Sequence, residues 1–407
     1  MFPSLHFPKI DYFYFIQYFI LIIGALFLFF RLYVKIKYKF WSHQPVFHHY
    51  NLFYWIYPIG IIDKELPSIN KFCNFVHIKS TTFEEREESQ LKKIILFLQT
   101  HYYRNPHSNY LPSLSSFSSY FIGSNHKTFI STYYPFPFSL NNDLTISNQN
   151  DLLALITSRP LNVYLHNNLS FPVYYVDNLC VHKEHRKLEI APKLIQTHVF
   201  TQRHQNKEIL ISLFKREGKL TGIVPLTVYK TYQFLVSDIH QLPLPHSSLS
   251  FLEINKINLN LFIDFLLLQK SKFKCFILPD LPALISLINQ NVYKIYALFE
   301  NHQILSCYFF RESHVYYGND RAIECFASLN NFNDPNFFIY GIINAIKKYA
   351  KSLKAKRITI ENISSNNIFI NYILSLNMSL KIENPTAYFF YNYASHPILA
   401  ENVFILS

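Results

Sequence analysis

Glycine is almost missing from this chain: 7 residues in 407. Average usage would supply several times more, so a Gly-rich phosphate-cradling loop has nothing to be built from. Charge is also sparse, at 16% of residues. The five cysteines (Cys73, Cys180, Cys275, Cys307 and Cys325) are far apart and form no CxxC pair. That excludes zinc ribbons and thioredoxin-type chemistry, and an odd, scattered set fits a reducing compartment better than a disulfide-stapled secreted domain. What is abundant is apolar. Half the residues are hydrophobic, with 30 Tyr and 40 Phe, which excludes a disordered chain and provides for two ordinary domains or one large one. The excess of Phe and Tyr extends to Ile, Asn and Lys and reads as coding bias, so single aromatics carry little weight. A formal charge of +12 favours anionic partners: phosphate-bearing molecules, nucleic acid or acidic lipid.

From Tyr12 to Leu32 the chain reads YFYFIQYFILIIGALFLFFRL, uncharged until Arg31. About 20 apolar residues match the ~30 Å core of a bilayer, and no small-residue cleavage site follows, as a signal peptide would require. A buried core helix is the competing reading, but a terminal helix apolar all round has little to be buried in. Residues 1–34 are therefore expected to be a single membrane anchor. Arg31, Lys35, Lys37 and Lys39 follow the span and Lys9 precedes it. The positive-inside rule then puts everything after the anchor in the cytosol, and juxtamembrane charge weakens a nucleic-acid reading.

Beyond the anchor the pattern is α/β. Glu84–Tyr103 has acidic residues first and apolar ones at helical spacing, predicting a helix. Residues 105–150, rich in Ser, Asn and Pro, predict long loops. Two β-favouring runs, 161–167 and 171–181, flank a turn at Asn167–Asn168; a helix from about Ile190 and a strand at Ile209–Phe214 follow. The second half repeats this grammar. Strands at Val292–Phe299 and Ile304–Phe310 meet at Asn301, then come a helix from Pro335 to Lys354, a strand at Arg357–Ile360, a helix over Asn367–Leu376 and a final strand at Ala387–Tyr393.

The most informative stretch is Val176 to Pro192, VDNLCVHKEHRKLEIAP. A strand end runs through a basic loop into a helix whose first turn is Ile190–Ala191–Pro192. Helix N-termini offer unpaired N–H groups and positive partial charge, a seat for pyrophosphate, and Lys183, Arg186 and Lys187 add charge. Chemistry alone favours a solvated surface loop over an anion site, since many strand–loop–helix turns carry basic residues simply as surface.

This segment resembles the acyl-CoA motif of the N-myristoyltransferases: Leu179, Cys180, Val181, His182 and Lys183 match in a row, and Arg186, Ala191 and Pro192 match at the same spacing. Tyr38-Lys39-Phe40-Trp41-Ser42-His43-Gln44-Pro45-Val46 is similar to a second family segment that lies against bound acyl-CoA. Tyr388-Phe389-Phe390-Tyr391-Asn392-Tyr393, then Ala400-Glu401-Asn402-Val403 and the end at Ser407, resemble the family's C-terminus. The resemblance spans Tyr38 to Ser407. It implies two tandem acetyltransferase-like halves with a pseudo-two-fold relation: residues 35–235, binding myristoyl-CoA, and residues 236–407, shaping a peptide groove. The implied acyl-CoA contacts are Tyr38, Lys39, Phe40, Trp41, Leu179, Cys180, Val181, Arg186, Lys187, Leu188, Glu189, Ile190, Ala191 and Pro192. The implied reaction moves the acyl group onto an N-terminal glycine amine. The α-carboxylate of Ser407 is the implied base, and the backbone N–H groups of Asn178 and Leu179 are the implied oxyanion donors. No metal and no cofactor beyond the co-substrate myristoyl-CoA are implied.

Three departures from the family pattern stand out. Lys187 and Glu189 replace a Ser and an Arg of the pyrophosphate loop, and a Glu facing pyrophosphate is adverse. Lys215 stands where the family has a Thr that helps hold the glycine amine, beside Asp177, which occupies a family Asn position. The acidic run after the first helix becomes Tyr103-Arg104-Asn105-Pro106-His107-Ser108, which removes the family's preference for basic peptides, and Leu380–Pro385 replaces a Gly-rich turn. Two other functions compete with a membrane-anchored transferase. One is a catalytically weakened acyl-CoA- or lipid-binding membrane scaffold; the other is a tandem acetyltransferase-like aminoacyl or acetyl transferase.

Overall fold

The computed structural model describes residues 12–103, 107–135, 139–140, 146–147, 151–166, 169–243, 248–376 and 378–407. The expected turn at Asn167–Asn168, the stretch Arg104–Pro106 and Lys9 lie outside them. Helix α1 (Tyr12–Tyr38) is one continuous rod of 27 residues. It is long and apolar enough to cross a membrane, and its apolar stretch is exposed almost throughout.

In chain order the elements that position the site are β1 (Ile78–Thr82), α2 (Glu88–His101), β2 (Phe129–Tyr133), β3 (Ala154–Leu165), β4 (Leu169–Val181), α3 (Ile190–Gln205), β5 (Ile211–Glu217), β6 (Thr227–Leu235), β7 (Leu249–Glu253), β8 (Cys275–Leu278), β9 (Tyr293–Glu300), β10 (Gln303–Tyr317), β11 (Asp320–Asn330), α4 (Pro335–Leu353), β12 (Arg357–Glu361), β13 (Ile382–Tyr391) and β14 (Val403–Ile405). Among the described residues these fourteen strands and the short strand Ser108–Tyr110 build one 15-stranded mixed sheet with helices packed on it. The grammar repeats. β3 and β4 pair antiparallel and α3 crosses to β5, parallel to β4; β10 and β11 pair antiparallel and α4 crosses to β12, parallel to β11. Each unit then hands its next strand to the other: β6 pairs with β12, and β13 pairs with β5. β6 and β13 also pair with each other, which joins the two units through the middle of the sheet.

Several boundaries differ from the sequence reading for local reasons. Helix α2 starts at Glu88 rather than Glu84, because Arg86 turns inward and donates to Ile130 O and Thr132 Oγ1 on β2. The stretch read as loop holds β2, whose Phe129 and Ile130 are core residues, and a short helix, Leu114–Ser119, capped by Ser113. Asn301 and His302 make the expected turn, both with positive φ, but the second strand of the hairpin runs past Phe310 to Tyr317. The strand read as ending at Tyr393 stops at Tyr391, where Asn392 takes φ +65°. It is not the last one either: β14 follows and pairs parallel with β8.

His198 of α3 is buried, with its two ring nitrogens 2.7 Å from Ser131 Oγ and 2.9 Å from Ser158 Oγ. Burial pushes its pKa down to about 3, below an unfolded value near 6.5. The unfolded chain therefore takes up the proton first. Stability present above pH ~6.5 is lost as pH falls toward 3, by up to ~1.4 kcal/mol per unit. Denaturant melts between pH 7 and 4.5 should show a flatter pH dependence for H198Q than for the parent; equal slopes would exclude this role.

Candidate functional site

The β3–β4 ladder breaks where the sequence motif sits. Thr157 pairs with Asp177 and Leu155 with Cys180, so Asn178 and Leu179 together face Ile156. This is a β-bulge, and Asn178 accommodates it with φ +52°, a conformation Asn tolerates better than most residues. The bulge turns Leu179 outward, 42% exposed, while Cys180 stays buried.

Beside the bulge opens a cavity of about 1040 Å³. From the sequence-derived acyl-CoA set, Lys39, Phe40, Leu179, Cys180, Val181, Arg186, Lys187, Glu189, Ile190, Ala191 and Pro192 line it. Tyr38, Trp41 and Leu188 do not. Tyr38 bonds His49 at 3.0 Å, Leu188 is exposed, and Trp41 stacks on Phe214, which stacks on Phe389. The segment before the cavity is pinned to β13, since the Tyr391 hydroxyl donates to Gln44 Oε1 at 2.8 Å and Asn392 N–H to Pro45 O at 2.7 Å. Lining groups that sequence reasoning missed include Lys35, Lys71, Phe72, Tyr102 and Lys193. Lys193 was readable as the next residue of the helix. Lys71 and Phe72 arrive on a loop tied to α3 through Asn74 N–H and Thr197 Oγ1, 2.9 Å apart, and no local pattern announces that.

The electrostatics suit an anionic ligand. Lys35, Lys39, Lys71, Lys187 and Lys193 line the cavity, and among the described residues none is paired with a carboxylate. Arg186 is already engaged, donating to Val181 O at 3.2 Å and His101 O at 2.5 Å, and so braces the loop. Among the described residues Glu189 is the one carboxylate lining the cavity; it takes the N-cap position of α3 with φ +59°. The first turn of α3 opens into the cavity, where Ile190 and Ala191 N–H groups have no intrahelical acceptor and Pro192 has no N–H to satisfy. Burial, then the neighbouring His182, Lys183 and Arg186, lower the His101 pKa to about 4; its ring lies 4.0 Å from that of His182.

On the other side of the bulge the chain's last residues are buried. Ser407 is 2% exposed. Its hydroxyl lies 2.9 Å from the Tyr388 hydroxyl, and its main-chain oxygen accepts from Arg311 Nη1. The Tyr388 ring faces Tyr175 of β4, at 6.4 Å, and Asp177 shares the Tyr175 face of the strand. Arg311 also pairs with Glu324 at 2.7 Å. Lys215 lies 2.9 Å from buried Glu361, 3.6 Å from Glu217 and 3.9 Å from Glu324. Lys215 is thus compensated by carboxylates on β5, β11 and β12. Burial, followed by Glu324, pushes Glu361 up to about 7 against the pull of Lys215 and Arg311. Burial acts the same way on Glu324, but Arg311 and Lys215 outweigh it and hold that carboxyl well below its usual range. Asp177 Oδ1 accepts from its neighbour Asn178 N–H at 2.8 Å, and Oδ2 lies 3.8 Å from Arg159. The Asn178 N–H is therefore engaged here.

The fold on which this site sits is a mixed sheet of two units that exchange strands. Three solved structures of Saccharomyces cerevisiae N-myristoyltransferase share it. One with bound myristoyl-CoA matches with TM-score 0.69 and 14% identity over 91% of this chain and 99% of that one. A second, also with bound myristoyl-CoA, gives 0.68 and 15% over 89% and 90%; a third, with myristoyl-CoA and inhibitors, gives 0.67 and 14% over 91% and 95%. The chain therefore has the N-myristoyltransferase fold, preceded by an apolar helix. No protein-family model and no curated protein sequence matches it.

Proposed function

We propose that the chain transfers a myristoyl group from myristoyl-CoA to the N-terminal glycine amine of proteins. The observation that carries this reading is the pairing of a basic cavity at the bulge with a buried Ser407 behind it. The lysines and the α3 N-terminus would hold the phosphates, and Leu179 would mark the thioester. Residues 35–235 supply the cavity and residues 236–407 most of the peptide groove. In this reading α1 is a single-pass anchor and the rest of the chain is cytosolic, because Lys/Arg follow the span.

The amine of an N-terminal glycine has a pKa near 8 and must lose a proton before it attacks. The Ser407 α-carboxylate is the base in this reading, and it accepts that proton. With Lys215, Arg311, Glu217, Glu324 and Glu361 ionised, the cluster already carries one negative charge, and the terminal carboxylate adds a second that welcomes an ammonium ion. Asp177 would turn to the same ammonium, which releases Asn178 N–H to join Leu179 N–H as oxyanion donor. The attacking nitrogen forms the amide bond, the thioester C–S bond breaks, and CoA leaves as thiol.

The test is transfer of an alkyne-labelled myristoyl group from its CoA thioester to a panel of peptides beginning with Gly, with Ala-initiated controls. Labelling confined to the Gly peptides supports the enzyme. Tight myristoyl-CoA binding with no transfer to any peptide supports instead the membrane scaffold, which the engaged Asn178 N–H favours.

A further inference from the structure

Behind α1 lies a second apolar feature that the transferase reading does not use. From Asn51 to Ile62 the chain reads NLFYWIYPIGII, with no charge until Asp63. In its Leu52–Ile56 turn of helix, half-buried Tyr54 and partly exposed Trp55 pack on Phe47, at 5.6 and 5.1 Å between ring centres. Leu52, Phe53, Ile56 and Tyr57 face out, each between 62% and 73% exposed. Four large apolar side chains on one face of a short turn form a contiguous patch, and such patches mark interaction sites.

The position of the patch identifies what covers it. The Tyr50 ring packs edge-on against Phe30 of α1 at 5.8 Å and lies 5.6 Å from Tyr38. Tyr38 in turn bonds His49, whose N–H and ring nitrogen both meet Gly222 O. Phe30 is the last residue of the uncharged stretch of α1; Arg31 follows. If α1 spans, Phe30 lies at the edge of the hydrocarbon core, and Tyr50 beside it puts residues 50–57 at the same height. Trp and Tyr concentrate at that level, and Arg31, Lys35 and Lys37 lie where acidic headgroups are.

We propose that Leu52, Phe53, Ile56 and Tyr57 insert into the interfacial layer of the bilayer that α1 crosses, as a second and shallower attachment of the folded domain. This inference rests on the anchor reading of α1. Two attachments remove the freedom to swivel that a single helix leaves. Because Lys35 and Lys39 line the cavity, the domain is then held with that cavity at headgroup height, where an amphiphile with an acyl tail and an anionic head partitions.

The chain has two tryptophans, Trp41 and Trp55, and they make the experiment. Full-length W41F and W55F, each with one reporter, are reconstituted into phosphatidylcholine–phosphatidylserine vesicles carrying lipids brominated either near the headgroup or near the bilayer centre. Emission of Trp55 should be quenched at least twofold more by the shallow bromines than by the deep ones, while Trp41, packed on Phe214, is quenched by neither. Adding F53E and I56E, both at exposed positions, should abolish the Trp55 quenching while alkaline carbonate still fails to extract the chain. Carbonate-resistant protein with Trp55 unquenched overturns the proposal and leaves the anchor standing, including the case where a second copy covers the patch and crosslinks through it. Extraction of the parent chain by carbonate overturns the anchor and this inference together.

Discussion

Replacing Arg311 by Met should destabilise the folded chain by about 3–5 kcal/mol, the usual cost of removing one partner from a buried ion pair. Its guanidinium, 16% exposed, lies 2.7 Å from Glu324, 3.9 Å from Glu361, and on the main-chain oxygen of Ser407. Without it the cation left beside Glu324 among the described residues is Lys215, at 3.9 Å. Most of the loss should come from the stranded carboxylate rather than from the pair itself. The double variant R311M/E324M should therefore recover part of the loss, because it relieves Glu324 but leaves the buried Ser407 carboxylate without its cation. Urea melts of the parent, R311M and R311M/E324M give the comparison. A loss below about 1 kcal/mol in R311M would show that the cluster is open to water.

Three residues appended after Ser407 should lower acyl transfer by about 10²–10⁴-fold, the typical worth of a positioned general base. The extension turns the terminal carboxylate into an amide and forces new chain into a site where Ser407 is 2% exposed. Myristoyl-CoA binding should change little, because the cavity is lined by residues between Lys35 and Lys193 and not by Ser407. Transfer within tenfold of the parent would remove the terminus from the chemistry and move the base to a side chain, with Asp177 the nearest alternative at the bulge.

How much of this was legible in the sequence depends on range. Val176–Pro192 was readable because strand, loop and helix start are contiguous, and most of its residues meet in one cavity. The bulge was half visible: an Asn among β-favouring residues is where positive φ is tolerated, yet only the register with Ile156 reveals it. The start of α2 was misplaced because Arg86 answers to β2, 44 residues away. β8 and β14 were missed because each is short and apolar, and they become strands by pairing across 128 residues, Cys275 to Val403. The charge cluster was invisible for the same reason. Lys215 was read beside Asp177, whereas its partners Glu324 and Glu361 come from the other unit.

Equilibrium titration with a non-hydrolysable myristoyl-CoA analogue asks whether the cavity beside Leu179 holds the acyl donor. The full chain should bind one equivalent, more weakly as salt is raised because five lysines face the anion. A191W, which fills the first turn of α3, should weaken binding at least tenfold without lowering the melting temperature of the free protein. No saturable binding to the full chain, or equal affinity in A191W, would contradict the account.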